Sequence, residues 1–144
     1  DGVGEAARFN APFGVGIDSS RGIALVADAG NNALRQVNLT SREVTTLAGQ
    51  MGRAGAVDGV GAAARFHNPT SVDIDSSRGI ALVAEYGNHA LRQVDLTTFE
   101  VTTLAGQLGS EGAVDGVGGA ARFKYPADVA IDSSRGIALV ADSH

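Results

Sequence analysis

The chain has 144 residues, of which 44% are hydrophobic and 19% charged, and 16 acidic against 11 basic residues give it a net charge of -5. No apolar run approaches the roughly 20 residues that span a bilayer, so membrane insertion is not expected. A single lysine and an acidic balance argue against nucleic acid as a partner. The absence of cysteine excludes disulfides, thiol nucleophiles and cysteine-ligated metals. No cofactor is predicted.

The sequence repeats itself every 57 residues. The motif Asp-Gly-Val-Gly begins at Asp1 and returns at Asp58 and Asp115. The first two copies are identical at 42 of their 57 positions, whereas the third copy has only 30 residues. A chain that repeats at such a period is built from one structural unit used several times. The predicted organisation is a single segment, 1–144, with repeats 1–57, 58–114 and 115–144, the last incomplete.

Each complete repeat predicts four short strands, A to D, that are rich in Val, Ile and Thr and bounded by turn residues. In the first repeat they cover 14–18, 23–27, 34–37 and 44–48. A Gly-rich connection, 49–68, leads from strand D to the next strand A and contains one predicted helical turn within 61–66. The third repeat supplies strands A and B, at 128–132 and 137–141, but not C and D. We therefore expect the sequence to be part of a longer repeat protein.

Stacking of these units decides the predicted fold. A single four-stranded sheet cannot bury both of its apolar faces, so the sheets must pack on each other, and a radial arrangement of such sheets is a β-propeller. The predicted fold class is all-β: a propeller of four-stranded antiparallel blades, with about two and a half blades present as part of a larger ring or repeat assembly. The expected partners are further blades of the same or a longer chain, and a homo-oligomer forms if the chain is complete.

One set of residues recurs in register over essentially all 144 residues. In and after the first repeat these residues are Pro12, Val15, Ile17, Asp18, Leu25 to Asp28, Gly30, Asn31, Leu34, Arg35, Val44 to Gly49, Asp58 to Gly61, Ala64 to Phe66 and Pro69. In these residues the sequence resembles the NHL-repeat β-propeller family. The resemblance implies blades of this type but no particular function, since the family includes ligand-binding ectodomains, interaction platforms and a few enzymes.

The meander predicts two ends for each blade. The A-to-B and C-to-D turns lie at one end, and the B-to-C turns and D-to-A connections lie at the other, which we call the loop face. Ten of the 15 differences between the two complete repeats fall on the loop face. Either ligand binding has diversified this face or exposed loops tolerate substitution. The candidate ligand-binding residues are Asn10, Phe13 and Asn32 in the first repeat, His67, Asn68, Thr70, Tyr86 and His89 in the second, and Lys124 and Tyr125 in the third, with Ala29 and His144 beside them.

A metal site is one hypothesis for the loop face. His67 and His89, with Glu85 and Asp73 near them, are residue types that bind zinc. The family resemblance adds that some propellers of this type are metal-dependent lyases. The first repeat has asparagine at both histidine positions, however, and we expect exposed loop histidines and no metal ligands.

The recurring carboxylates have a structural interpretation. Asp18 ends strand A before Ser-Ser-Arg-Gly, as its counterparts do in every repeat, and is predicted to cap that turn; an acid–base pair would require these residues to face one cavity. Asp28 and Glu85 end strand B and are predicted to cap the next turn or to pair with Arg35 and Arg92. The Asp-Gly-Val-Gly motif lacks the remaining ligands of a calcium loop.

Asn38 begins an Asn-Leu-Thr sequon on the exposed C-to-D turn, which makes it a candidate N-glycosylation site on a secretory route. The leading functional hypothesis is a non-catalytic structural or recognition scaffold, extracellular or at the cell surface, that binds protein or glycan through the loop face. One alternative is a fragment of a metal-dependent propeller lyase. Another is a building block of a repetitive oligomeric or fibrous assembly.

Overall fold

The computed structural model describes all 144 residues, as twelve β-strands and five three-residue 3-10 turns. None of these helical turns has the length or the apolar content needed to cross a membrane. The strands are β1 Gly2–Val3, β2 Pro12–Asp18, β3 Ile23–Asp28, β4 Ala33–Asn38, β5 Glu43–Gly49, β6 Gly59–Val60, β7 Pro69–Asp75, β8 Ile80–Glu85, β9 Ala90–Asp95, β10 Glu100–Ala105, β11 Pro126–Asp132 and β12 Ile137–Asp142.

The strands form two five-stranded sheets and one hairpin, all antiparallel. The first blade has the order β1-β5-β4-β3-β2, the second blade has the order β6-β10-β9-β8-β7, and β11 pairs with β12 in what we call the half blade. The four strands predicted for each complete repeat are all present, as are strands A and B of the third. The prediction of an all-β, partial propeller is therefore confirmed.

One short strand in each complete blade was not predicted. The Gly-Val pair of the Asp-Gly-Val-Gly motif adds a two-residue strand to the outer edge of its own blade, where Val60 lies opposite Glu100. Gly61 then takes a positive φ of 53° and starts the 3-10 turn Gly61–Ala63, which is the predicted helical turn in a shorter form. A two-residue strand has no alternating pattern, so the sequence carried no strand signal there.

The hydrophobic core lies between the blades. One cluster of 14 buried residues includes Leu25 and Leu34 of the first blade, Val83 and Val94 of the second, and Phe66 of the connection. Full burial of a Val, Leu or Phe side chain stabilises a fold by about 1.5–3 kcal/mol, so stacking is a large stabilising contribution. A smaller cluster of four buried residues joins the second blade to the half blade.

Apolar side chains are exposed at both ends of the stack, although their counterparts at the internal boundaries are buried. Val15 on β2 is 59% exposed, whereas its counterparts Val72 and Val129 are 3% and 4% exposed and pack against the preceding blade. At the other end Leu139 on β12 is 69% exposed, whereas its counterpart Leu82 is 4% exposed. Each end face therefore presents the side chains that contact a neighbouring blade elsewhere in the stack.

Candidate functional site

The loop face is organised by one hydrogen bond across each blade boundary. Asn32 Oδ1 accepts the backbone N–H of Asn68 at 2.9 Å, and His89 Nδ1 accepts the backbone N–H of Tyr125 at 3.2 Å. Asn32 and His89 end equivalent B-to-C turns in the left-handed region, with φ of 53° and 56°. These two candidate residues therefore provide acceptors that join adjacent blades. His89 is only 9% exposed, so the prediction of an exposed loop histidine is wrong for His89, whereas His67 is exposed as predicted.

Four rings come together at the boundary between the second blade and the half blade. We call Tyr86, His89, Tyr125 and His144 the aromatic cluster. The Tyr125 ring lies 4.7 Å from that of Tyr86, 4.6 Å from that of His89 and 5.2 Å from that of His144, measured between centroids. Both tyrosines are partly exposed and His144 is exposed, so the cluster presents aromatic surface on the loop face.

The first blade boundary has no such cluster. Ala29 stands at the position of Tyr86 and is buried, and Asn68 stands at the position of Tyr125. The backbone of Tyr125 is fixed by His89 and by the Ser143 hydroxyl, which donates to the Tyr125 carbonyl at 2.7 Å. The two boundaries thus share a backbone arrangement but differ in the side chains they present.

Asn10, His67 and Lys124 occupy one position in the three repeats, just before strand A. The backbone N–H of each donates to the acidic residue that ends strand B of its own repeat, at 2.8, 2.5 and 2.7 Å respectively. The side chains of Asn10 and His67 are exposed, and Lys124 lies 3.7 Å from Glu111. The side chains of Asn10 and His67 therefore face solvent, while the backbone of all three residues holds the loop.

The remaining candidates, Phe13 and Thr70, differ in environment. Phe13 is 71% exposed. Thr70 is half-buried, and its hydroxyl lies within hydrogen-bond distance of the carbonyls of Ala84, at 3.4 Å, and Pro126, at 3.3 Å. Thr70 therefore bridges the second blade and the half blade. It is not a member of the aromatic cluster.

Behind the loop face, each complete blade contains a buried arginine at the centre of an ionic network. Arg92 lies 2.8 Å from Glu85 through Nη1 and 2.7 Å from Asp58 through Nη2. The same nitrogens donate to the carbonyls of Arg65 at 3.1 Å and Val57 at 2.9 Å. Neither the Arg92 nor the Glu85 side chain is exposed to solvent.

The first blade repeats this network. Arg35 lies 2.7 Å from Asp28 and 3.0 Å from Asp1, and its guanidinium carbon lies 5.2 Å from the centre of the Phe9 ring. Arg92 stacks in the same way at 5.3 Å from Phe66. The predicted pairing of the strand-B acids with these arginines is confirmed. Their contacts with the first residue of Asp-Gly-Val-Gly and with the following phenylalanine were not predicted.

The network explains why the Asp-Gly-Val-Gly motif recurs. Besides Arg92, Asp58 accepts hydrogen bonds from the Thr103 hydroxyl at 2.9 Å and the Thr103 backbone N–H at 3.1 Å. It therefore attaches the connection to the outer strand β10. Each complete repeat contains this Asp, the strand-B acid and the strand-C arginine, and their joint recurrence is a sequence signal that could have identified the network.

The residues of the metal hypothesis have other partners. Burial raises the pKa of Glu85 to about 7, and its bonds from Arg92 and from the His67 N–H oppose that rise. Asp73 Oδ2 accepts the N–H of Ile131 at 2.7 Å, across a blade boundary. His89 uses Nδ1 for the bond to Tyr125. No three His, Cys, Asp or Glu side chains are brought together in a group that could hold a metal ion.

The carboxylates at the end of strand A cap turns, as predicted. Asp75 Oδ1 accepts the N–H groups of Ser77 at 3.1 Å and Arg78 at 3.2 Å, and Asp18 and Asp132 make the same bonds in their repeats. The Ser77 hydroxyl, which also donates to Asp75, is the main cause of the lowered pKa of that carboxyl. These residues therefore stabilise the A-to-B turns.

Asn38 has a comparable local role on the C-to-D turn. Its Oδ1 accepts the N–H groups of Thr40 at 2.9 Å and Ser41 at 2.8 Å, and Asp95 makes the same two bonds in the second blade. Asn38 is half-buried at the end of β4, followed by the exposed residues Leu39 and Thr40.

Comparison with known proteins places this architecture in a family. No family model matches the chain. NHL repeat-containing protein 2 of Bos taurus is 30% identical over 116 residues, which are 81% of the chain and 16% of that protein. Protein SUPPRESSOR OF QUENCHING 1, chloroplastic, of Arabidopsis thaliana is 30% identical over 147 residues, covering 97% of the chain and 14% of that protein. The chain thus spans only a small part of these curated relatives.

The fold also matches a solved structure. The crystal structure of an auxiliary nutrient binding protein from Bacteroides thetaiotaomicron superposes with a TM-score of 0.74 at 24% identity, covering 89% of the chain and 34% of that protein. A likeness at this identity establishes the fold. The recurring motifs, the stacked antiparallel blades and the relatives together show that the chain belongs to the NHL-repeat family of β-propeller proteins.

Proposed function

We propose that the chain is a non-catalytic binding scaffold whose ligand, a glycan or a protein segment, contacts the loop face at the aromatic cluster. The observation that carries this proposal is the partly exposed aromatic surface formed by Tyr86, Tyr125 and His144 on a hydrogen-bonded backbone. Ligand sites combine apolar and aromatic surface with a few placed polar groups. His67 and Lys124, on the loops at the same end of the stack, supply hydrogen-bonding side chains.

The ionisable groups nearby support binding rather than catalysis. Glu85 is committed to Arg92 and to loop N–H groups, and Asp73 to a backbone N–H across the boundary. His89, with one ring nitrogen bonded to Tyr125, is mostly buried. The name of the Bacteroides neighbour, an auxiliary nutrient binding protein, is consistent with a binding role for this type of propeller.

Glycan-array and peptide-array binding by the chain and by Tyr125→Ala test the proposal. We expect Tyr125→Ala to weaken binding by about tenfold, since a stacked aromatic in a contact is worth about 1 kcal/mol or more. The matched control is Phe99→Ala, which removes a 40% exposed aromatic from the opposite end of the second blade and should leave binding unchanged. Equal binding by all three proteins, at equal fraction folded, would contradict the proposal.

The exposed end faces support a second role, the docking of further blades. Val15 at one end and Leu139 at the other are exposed in the chain, whereas their counterparts are buried between blades. A blade that presents the surface of Leu82 fits the Val15 end, because within the chain that surface packs against Val129, the counterpart of Val15. Such head-to-tail contacts extend a stack or close a ring. Their partners are blades of the same repeat type, from the same chain or from other copies.

An extracellular or cell-surface location is part of the proposal. The Asn38 sequon, on an exposed turn, supports it. Asn38→Asp is the matched change for mass analysis of secreted protein, because Asp95 already makes the same turn bonds in the second blade. A hexose-spaced mass increase that this substitution abolishes would establish Asn38 as the glycan acceptor.

A further inference from the structure

The chain contains only two tyrosines, and the structure places them side by side. Tyr86 and Tyr125 belong to different repeats, yet their ring centroids lie 4.7 Å apart, with an angle of 32° between the ring planes. This separation is at the short end of the range in which aromatic pairs contact each other. Both side chains are partly exposed and therefore accessible from solvent. Two accessible phenol rings thus meet across the boundary between the second blade and the half blade.

The surroundings of Tyr125 hold its ring beside Tyr86. The Tyr125 N–H donates to His89 Nδ1 at 3.2 Å, and the Tyr125 carbonyl accepts the Ser143 hydroxyl at 2.7 Å. The rings of His89 and His144 pack edge-on against the Tyr125 ring, with centroids 4.6 and 5.2 Å away. Tyr125 is therefore confined among three rings, which limits its motion away from Tyr86.

A tyrosine at position 125 has a conformational cost. Tyr125 has a φ of 59°, in the left-handed region that large side chains rarely adopt. Its counterpart at the first boundary is Asn68, with a φ of 53°, and asparagine tolerates this conformation better than most residues. Ala29 stands at the first boundary in place of Tyr86. Because strained residues cluster at functional positions, the presence of a tyrosine at 125 points to a role for its ring.

We propose that Tyr86 and Tyr125 form a site of oxidative cross-linking, at which a haem peroxidase with hydrogen peroxide joins the two blades through a dityrosine bond. Each phenol loses one electron and its hydroxyl proton and becomes a phenoxyl radical. The two radicals form a C–C bond between ring carbons ortho to the oxygens, and the hydrogens on those carbons move to the oxygens and restore both phenols. The two electrons and two protons that are removed reduce one hydrogen peroxide to two waters.

The link would give this chain a covalent connection between blades that it otherwise lacks. The chain has no cysteine, so a disulfide cannot join its blades. The dityrosine bond closes a loop of about 40 residues and stabilises the fold by restricting the unfolded chain. The first boundary, with Ala29 and Asn68, cannot form it. The reaction needs only the oxidant and the two phenols, so this proposal does not rest on ligand binding at the aromatic cluster.

The test treats the dilute chain with a haem peroxidase and hydrogen peroxide, followed by tryptic digestion and mass spectrometry. We expect a cross-linked pair of peptides, 79–92 and 125–135, whose mass is lower by two hydrogens than the sum of the separate peptides. Because both rings belong to one chain, the yield should not change on dilution, and denaturing electrophoresis should show a monomer. Urea unfolding of the cross-linked chain should require a higher urea concentration.

Tyr86→Phe and Tyr125→Phe each keep a ring in place but remove one phenol, so each should abolish the link. The matched control is the double variant Tyr86→Phe, Phe99→Tyr. It keeps two tyrosines but moves one to the opposite end of the second blade, where the side chain of residue 99 is 40% exposed. The yield of a link within the chain should fall by about tenfold or more in this variant, since effective concentration decreases with separation. Free tyrosine in a parallel sample shows that the oxidant is active.

The proposal is overturned if free tyrosine couples but peptides 79–92 and 125–135 remain unlinked. It is also overturned if the link forms only between chains, if the double variant gives an equal yield, or if Tyr125 becomes attached to His144 instead. Failure of the chain to bind any glycan or peptide would leave these outcomes unaffected, so the two proposals about the aromatic cluster can fail separately.

Discussion

Replacement of Arg92 by methionine provides the sharpest test of the energetic role assigned to the buried network. Arg92 is fully buried and serves Glu85, Asp58 and two backbone carbonyls at distances of 2.7 to 3.1 Å. Removal of one member of a buried ion pair costs about 3–5 kcal/mol, because the remaining charge is left uncompensated. A domain of this size is stable by about 5–15 kcal/mol in total, so the loss is a large fraction.

The cost of Arg92→Met should depend on pH. Burial raises the pKa of Glu85 from 4.5 to about 7, so its protonated form is favoured in the folded state. The corresponding contribution to stability is fully present below pH 4.5 and is lost as the pH rises through 7. Without Arg92 the pKa of Glu85 rises further, since the nearest cation is gone. The variant should therefore be less destabilised at pH 5.5 than at pH 8.

Urea unfolding followed by circular dichroism at the two pH values measures the effect. Arg78→Met is the matched control, because Arg78 also pairs with an aspartate but its side chain is 51% exposed, and the expected cost there is below about 1 kcal/mol. Glu85→Gln combined with Arg92→Met should recover part of the loss, since it removes the unpaired charge. If Arg92→Met cost no more than Arg78→Met, or cost the same at both pH values, the network would not have the energetic role assigned to it.

Two further outcomes follow from the blade contacts. Gly16→Ala should destabilise the chain by about 1–3 kcal/mol in thermal unfolding, because the new Cβ would lie 2.9 Å from the Val72 carbonyl oxygen. Gly119→Ala, whose new Cβ would have no atom within 4 Å, should leave the stability unchanged. Equal effects of the two substitutions would refute this account. In sedimentation velocity the chain should associate as its concentration rises, and Val15→Lys should weaken that association more than Val117→Lys, which alters an exposed residue of the connection. A monomer at all concentrations would refute head-to-tail docking.

The strands could be predicted because their signals are local. Alternating and β-branched residues over 14–18 and 23–27 lie inside β2 and β3, and the turn glycine Gly22 has the expected positive φ of 65°. The repeat then decided the architecture, since identical sheets with two apolar faces must stack. The observed strands extend past the predicted ones by one or two residues, because ladder pairing continues through residues that lack a strand pattern, such as Pro12 opposite Asp28.

The candidate site was harder to predict because its contacts join distant parts of the sequence. Arg92 and Asp58 are 34 residues apart, and Tyr125 and His89 are 36 apart. No periodic pattern specifies such pairs. Asn32 and His89 are ligand-binding candidates in the sequence because they differ between the repeats on the loop face, and in the structure they are acceptors between blades. The aromatic cluster likewise follows from stacking the third repeat on the second, which places Tyr125 beside Tyr86.

The differences between the repeats are best explained by the boundaries at which they lie. At the first boundary Gly14 approaches the backbone of Ser71 so closely that a Cβ would lie 2.6 Å from its Cα. At the second boundary, Ser71 occupies the position of Gly14 and donates a hydrogen bond to Asp128 at 2.5 Å. A side-chain hydrogen bond at the second boundary therefore takes the place of the close backbone contact at the first. On the loop face the acceptor also differs between the boundaries. It is the amide of Asn32 at the first boundary and the imidazole of His89, within the aromatic cluster, at the second. The boundary between the second blade and the half blade is thus chemically distinct within an otherwise repeated scaffold, and that distinction is the physical basis for proposing that a ligand binds there.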